Sequence, residues 1–247
     1  MKITHAMVLA AGLGTRMRPI TNSMPKPLVR IAGRPMIDYV LDTLAAAGVE
    51  QVVVNVHHFA EQMEAHLAGR DDLSILISDE RAELMNSGGG LVKGLKRLDR
   101  SPVFVMNADL FWIAEDEGDR SNLARLAEAF DPARMDMILL CVPLERTTGH
   151  NGKKDFSLGS DGRLKRYEEG DPDPVVYAGA IALLPELFDD APTDAFNLNI
   201  YFDRAIAGGR LYGIEMSGQW LTVGTPEAIG EAEETIRRFA PTAGNGA

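Results

Sequence analysis

The chain has 247 residues, 45% hydrophobic and 25% charged, which is enough apolar content to bury a sizeable core and argues against general disorder. A net charge of −11 argues against nonspecific nucleic-acid binding and against docking on an anionic membrane. The single cysteine, Cys141, cannot form an internal disulfide, and no signal-like segment or membrane-length apolar stretch is present, so a soluble cytoplasmic protein is expected.

In chain order, "ITHAMVLAA" reads as a short buried strand and runs directly into glycines. "PMIDYVLDTLAAAGV" has helical spacing and a stop at Gly48; "QVVVNV" is a β-branched strand. "FAEQMEAHLAG" predicts a second helix and "LSILIS" a third strand. A helix is expected to start at "GGGLVKGLKRL", and "PVFVMNADLFW" to hold a fourth strand; "SNLARLAEAF" and "DMILLCV" continue the alternation. Cys141 lies in that last apolar run, where a buried, inert thiol is expected. Strands alternating with helices predict an α/β fold with a mostly parallel sheet covered on both faces.

After about residue 150 the pattern changes. "KDFSLGSDGRLKRYEEG" reads as two short strands joined by a Ser-Asp-Gly turn. "VVYAGAIALL" is a strand, "LNIYFDRAIAGG" a helix carrying core residues, "QWLTV" a short strand and "PEAIGEAEETIRRF" a closing helix with Pro226 near its start. The acidic stretches "AEDEGD" and "EEGDPDPV" read as exposed loops. A single domain over 1–240 is expected, whose second half (151–240) adds a substrate-binding layer to the first (1–150), followed by a flexible tail at 241–247.

The loop after the first strand carries the chemistry. Residues 1–37 hold Lys2, Arg16, Arg18, Lys26, Arg30 and Arg34 and no acid, a local positive field in an acidic body. Gly12 and Gly14 let the backbone approach a ligand, and successive N–H groups there can bind an anion. Arg16 adds a bidentate donor for phosphate oxygens and Lys26 a compact charge, presented between Pro25 and Pro27. Together these groups suit a polyphosphate. Met17 stands where a dinucleotide fingerprint needs a third small residue, and Pro27 follows Lys26 where a Walker loop needs Ser or Thr. The histidines at 5, 57, 58, 66 and 150 form no zinc motif.

"LAAGLGTRMRPIT…PKPL" resembles the signature of sugar-1-phosphate nucleotidylyltransferases, and the resemblance continues through "SGGG", "NAD", "YAGA" and "WLTVGTP" over nearly the whole chain. It implies a Rossmann-like three-layer α/β/α sandwich, with 1–150 as the nucleotide-binding half and 151–240 as the sugar-binding half. It also implies that a nucleoside triphosphate and a sugar 1-phosphate are the substrates, that Mg²⁺ is the cofactor, and that no obligate protein partner is needed. By matched motif, Ala10, Ala11, Gly12, Gly14 and Thr15 would cradle the nucleotide, with Arg16 on the departing pyrophosphate and Lys26 on the reacting phosphates. Asn86, Ser87, Gly88 and Gly89 would meet the base or ribose. Asn107, Glu168, Tyr177 and Gly179 would line the sugar site, and Asp109 would bind the metal. Relatives commonly have an acid and a threonine where this chain has Asn86 and Ser87. Many also carry a second metal-binding Asp where Thr222 stands, so Mg²⁺ is expected to bind weakly without nucleotide. UTP with N-acetylmuramate 1-phosphate is the expected pair. GTP with mannose 1-phosphate, CTP with phosphocholine, and a noncatalytic nucleotide-sugar sensor are the alternatives.

Overall fold

The computed structural model describes residues 1–115 and 120–239. Most of the expected loop "AEDEGD" and the whole of the expected tail at 241–247 lie outside the described residues.

Four strands of the first half are parallel: β1 (His5–Leu9), β2 (Gln51–Val56), β3 (Ser74–Asp79) and β4 (Val103–Asn107). β1 lies between β2 and β4, and β3 flanks β2. Helices α1 (Met36–Ala46), α2 (Ala60–Leu67) and α3 (Asn86–Leu95) connect them in turn. The side-chain period of two decides which layer each strand residue serves. Ala6, Val8, Val52 and Val54 join the core under α1 and α2, whereas Met7 and Val53 join the opposite core under α3. Gly94 lets α3 lie close to the sheet, because a Cβ there would fall 2.4 Å from the Met7 sulfur.

The run "PVFVMNADLFW" differs from the single strand expected. β4 ends at Asn107, the chain turns through Ala108 and Asp109, and β5 (Leu110–Ile113) enters a second, small sheet. The Asn-Ala-Asp triplet interrupts the apolar run: Asn107 and Asp109 are half-buried, whereas Ala108 is in the core. α4 (Asn122–Ala129) follows, its first turn capped by the Ser121 hydroxyl, which accepts from Ala124 N–H at 3.2 Å.

The remaining elements are β6 (Met137–Pro143), the hairpin β7 (Phe156–Leu158) and β8 (Leu164–Arg166), β9 (Pro174–Leu183), α5 (Asn199–Ala207), β10 (Leu211–Glu215), β11 (Gln219–Thr222) and α6 (Glu227–Phe239). β9 inserts antiparallel between β4 and β6, its first residues also pair with β7, and β10 adds parallel to β6. The mixed, mostly parallel sheet is thus covered by α1, α2 and α4 on one face and by α3 and α5 on the other. Cys141, on β6, is fully buried and burial pushes its thiol pKa up, in keeping with an inert core thiol.

A third apolar cluster lies under the glycine loop. Met17, Val29, Ile31 and Met36 pack there with Phe111 of β5, Leu221 of β11 and Ala228 and Ala232 of α6. Ala32 N–H also donates to Glu233 Oε1 of α6 at 3.0 Å. The loop therefore rests on a built floor. Among the described residues, no helix is long and apolar enough to cross a membrane.

Candidate active site

β1 delivers the chain to the carboxyl edge of the sheet, where open α/β sheets bind ligands. Ala10 and Ala11 are buried and Gly12 is exposed. Gly14 has φ +61°, and a Cβ there would sit 2.9 Å from Lys26 Cβ and 3.0 Å from Thr21 Cγ2. Both conformation and space therefore require glycine at this position. The Thr21 hydroxyl donates to the Gly14 carbonyl at 2.8 Å and pins the turn. Thr15 and Arg16 are exposed on a short 3₁₀ turn anchored by buried Met17. The Arg16 guanidinium approaches Gly224, past the end of β11, and makes no ion pair among the described residues.

Pro25 holds extended backbone before a second 3₁₀ turn, Lys26–Leu28. Lys26 is only 8% exposed, and its Cβ lies against Gly14. Its Nζ lies 2.5 Å from Asp109 Oδ2, and the Asp109 side chain is 35% exposed. The turn between β4 and β5 thus places the expected metal carboxylate against the expected phosphate cation. Thr222 pairs in register with Leu110, the residue after Asp109, so β11 brings a neutral hydroxyl residue to the same corner. Among the described residues, no group of three or more acids, histidines or cysteines could hold a metal. One carboxylate beside one hydroxyl suits a Mg²⁺ that arrives on phosphate oxygens better than a preformed metal site.

Three adjoining cavities of about 480, 260 and 80 Å³ meet at Leu9 and Asn107, which line all three. The largest lies between Ala11 and Gly12 on one side and Asn86, Ser87 and Ala195 on the other. The smallest holds Lys26 and Asp109. The third is polar, with Asp155, Arg166, Tyr177, Asn197 and Asn199. Another cavity of about 480 Å³ lies elsewhere, lined by Glu145, Asp173 and Glu215, a charge set that repels a triphosphate.

Asn86, Ser87, Asn107 and Tyr177 line these cavities. The Tyr177 hydroxyl is buried with no hydrogen-bond partner, and burial pushes its pKa up, so it is a neutral donor aimed at no protein acceptor. Gly88 and Gly89 also have a packing role: their N–H groups donate to the Phe196 carbonyl at 2.8 and 3.3 Å. A Cβ on Gly88 would fall 2.2 Å from the Phe196 ring. Their smallness admits the segment that carries Ala195 into the cavity wall. Gly179 makes room for Leu110, and Glu168 is exposed and lines none of the three cavities.

Several cavity residues escape sequence reasoning. Asn55 and Glu80 line the largest cavity; Asp155, Arg166, Asn197 and Asn199 line the polar one. Asn55 left a trace, a polar residue inside the apolar run "QVVVNV". Glu80 lies in "SDERAE", which reads like any solvated charge run. Asn197 and Asn199 open a helix whose Tyr201, Phe202 and Ala205 do enter the core, as expected. The two histidines after β2 bond locally: a His57 ring N–H donates to the Glu80 carbonyl at 2.7 Å and a His58 ring N–H to the Thr21 carbonyl at 3.1 Å.

Residues 6–188 match the model of the MobA-like NTP transferase domain. The chain is 43% identical to the N-acetylmuramate alpha-1-phosphate uridylyltransferase of Caulobacter vibrioides, over 94% of this chain and 96% of that protein. It is 30% identical to the protein of that name in Neisseria meningitidis serogroup B, over 92% and 96% of the two chains. Among solved structures, the inositol-1-phosphate CTP transferase from T. maritima superposes with a TM-score of 0.77 at 16% identity, covering 97% of each chain, a likeness of fold.

Proposed function

We propose, from the premise that this chain belongs to the MobA-like NTP transferase family and is a sugar-1-phosphate nucleotidylyltransferase, that it joins UTP to N-acetylmuramate 1-phosphate. The observation that carries this reading is the meeting of three cavities at Leu9 and Asn107, with Lys26 and Asp109 in the smallest. The 480 Å³ cavity suits the base and ribose, the polar cavity the sugar, and the junction the phosphates between them. The identity with the Caulobacter vibrioides enzyme supports the choice of base and sugar.

In this reading a phosphate oxygen of the sugar 1-phosphate attacks the α-phosphorus of the nucleotide. The bond to the bridging oxygen of the β-phosphate breaks, and pyrophosphate leaves with that electron pair. The protein contributes alignment and charge. The Gly12 backbone faces the nucleotide, Arg16 holds the departing pyrophosphate, and Lys26 turns from Asp109 to the reacting phosphate oxygens. Asp109, relieved of Lys26, would hold a Mg²⁺ arriving with the triphosphate, with Thr222 at the same corner. Bound there, the ion supplies charge neutralisation on the phosphates.

Arg166 favours an acidic sugar. Its Nε donates to Asp203 and one Nη to Asn199, while its other Nη has no protein partner among the described residues. N-acetylmuramate differs from N-acetylglucosamine by a lactyl ether, whose carboxylate suits such a donor. The test is turnover with each nucleoside triphosphate against a panel of sugar phosphates, with and without Mg²⁺, read by pyrophosphate release and product mass. UTP with N-acetylmuramate 1-phosphate should exceed every other pair by about tenfold or more, the discrimination one charge-assisted contact supports. A faster rate with mannose 1-phosphate and GTP would overturn the substrate assignment. Absence of pyrophosphate with every pair, while nucleotide sugar still binds, would favour the sensor.

A further inference from the structure

In the wall of the 480 Å³ cavity beside Gly12, two buried polar side chains form an unbroken chain of hydrogen bonds. Ala10 N–H donates to Asn55 Oδ1 at 2.6 Å, Asn55 Nδ2 donates to Glu80 Oε1 at 2.7 Å, and Met85 N–H donates to Glu80 Oε2 at 3.0 Å. Asn55 is 3% exposed and Glu80 is 0% exposed, and Glu80 makes no ion pair among the described residues. Gly90 is part of the arrangement, because a Cβ there would lie 2.6 Å from Glu80 Oε1 and 2.7 Å from Asn55 Nδ2.

Burying a carboxylate with no cation is costly, and an apolar pair of similar volume would fill this space at less cost. What the polar pair alone provides is a tie between two backbones. Ala10 precedes Ala11 and Gly12 on one wall of the cavity, and Met85 precedes Asn86 and Ser87 on the other. We propose that Asn55 and Glu80 are positioning residues that set the spacing of these two walls and so govern nucleotide affinity. The proposal rests on the reading that this cavity takes the nucleotide.

The bonding has a direction that can be exploited. Asn55 must accept from Ala10 and donate to Glu80, and Glu80 must accept twice. Glu80→Gln turns an amide N–H toward one of two donors, and Asn55→Asp opposes two carboxylates at contact distance. Exchanging both restores every bond with the roles reversed. The new aspartate accepts from Ala10 N–H and from the new glutamine amide, whose carbonyl accepts Met85 N–H. The buried charge is kept.

The experiment is steady-state kinetics on the two single variants and the exchanged pair. Each single variant should raise KM for the nucleotide about tenfold or more, the cost of one unsatisfied buried group, while KM for the sugar phosphate changes little. The exchanged pair should return to within about threefold of the parent. Equal changes in both KM values, or an exchanged pair no better than the singles, would overturn the proposal. If the single variants do not fold, the exchanged pair decides alone: near-parental nucleotide KM supports the relay, and an unfolded or impaired protein overturns it. Should the parent show no turnover with any pair, the functional reading fails separately. UTP affinity by calorimetry then reads the same three variants, and absence of UTP binding by the parent overturns the relay as well.

Discussion

Lys26→Ala is expected to lower kcat by about 10²–10³, the loss typical of one positioned electrostatic donor at a reacting centre. The reason is location. Lys26 is nearly buried, lies against Gly14 and meets Asp109 at 2.5 Å in the cavity where the other two converge. Stability should respond far less. The Asp109 end of the pair is a third exposed, so solvent screens it, and such pairs contribute about 1 kcal/mol or less. In a chain of this size that is a fall in Tm of only a few degrees. Lys26→Arg should not rescue, because a longer planar head replaces a compact charge at a nearly buried position. Measurement of kcat beside Tm for both variants separates the roles. A rate within about threefold of the parent would remove Lys26 from the chemistry.

Gly179→Ala is expected to cost about 2–5 kcal/mol of stability, from a left-handed backbone strain of about 1–2 and an overpacking cost of about 1–3. Gly179 has φ +84° inside the irregular stretch of β9 between Tyr177 and Ile181. A Cβ there would fall 1.7 Å from Leu110 Cδ1 and 3.1 Å from its Cγ, so the Leu110 side chain would have to shift. Leu110 adjoins Asp109, so relief by moving Leu110 would also disturb the carboxylate. The neighbouring Ala178 carbonyl accepts from Trp220 Nε1–H at 2.9 Å, which ties the same irregularity to β11. Tm should drop by roughly 10 °C. Leu110→Ala added to the variant should recover the packing share and leave the backbone share. An unchanged Tm for Gly179→Ala would mean that β9 accommodates the side chain by another route.

The contrast between these two positions explains what the sequence could and could not disclose. Lys26 announces itself, because a lysine between two prolines after a Gly-x-Gly turn has few purposes. Gly179 announces itself only as part of "YAGA". Its packing role depends on Leu110, 69 residues away in sequence. The alternation of strands and helices was legible because period-two and helical spacing are local. The antiparallel insertion of β9 between β4 and β6 was not, because strand order is set by contacts across the chain. The split of "PVFVMNADLFW" into β4 and β5 was half visible in its polar triplet. The polar cavity was the least legible part. Asp155, Arg166, Asn197 and Asn199 come from three separate segments, and each alone looks like an ordinary surface residue. Gly88 and Gly89 show the converse: a glycine run that resembles a ligand contact is also what the Phe196 segment requires for close packing.

The turn after β1 and the turn after β4 are expected to hold a triphosphate together. A crystal structure with a nonhydrolysable UTP analogue and Mg²⁺ tests it most directly. The phosphate oxygens should lie about 3 Å from the Lys26 ammonium, the Arg16 guanidinium and the backbone N–H groups at Gly12, with the base between Ala11 and Ser87. Phosphates bound away from Arg16, Lys26 and Asp109, or a base outside that cavity, would contradict it.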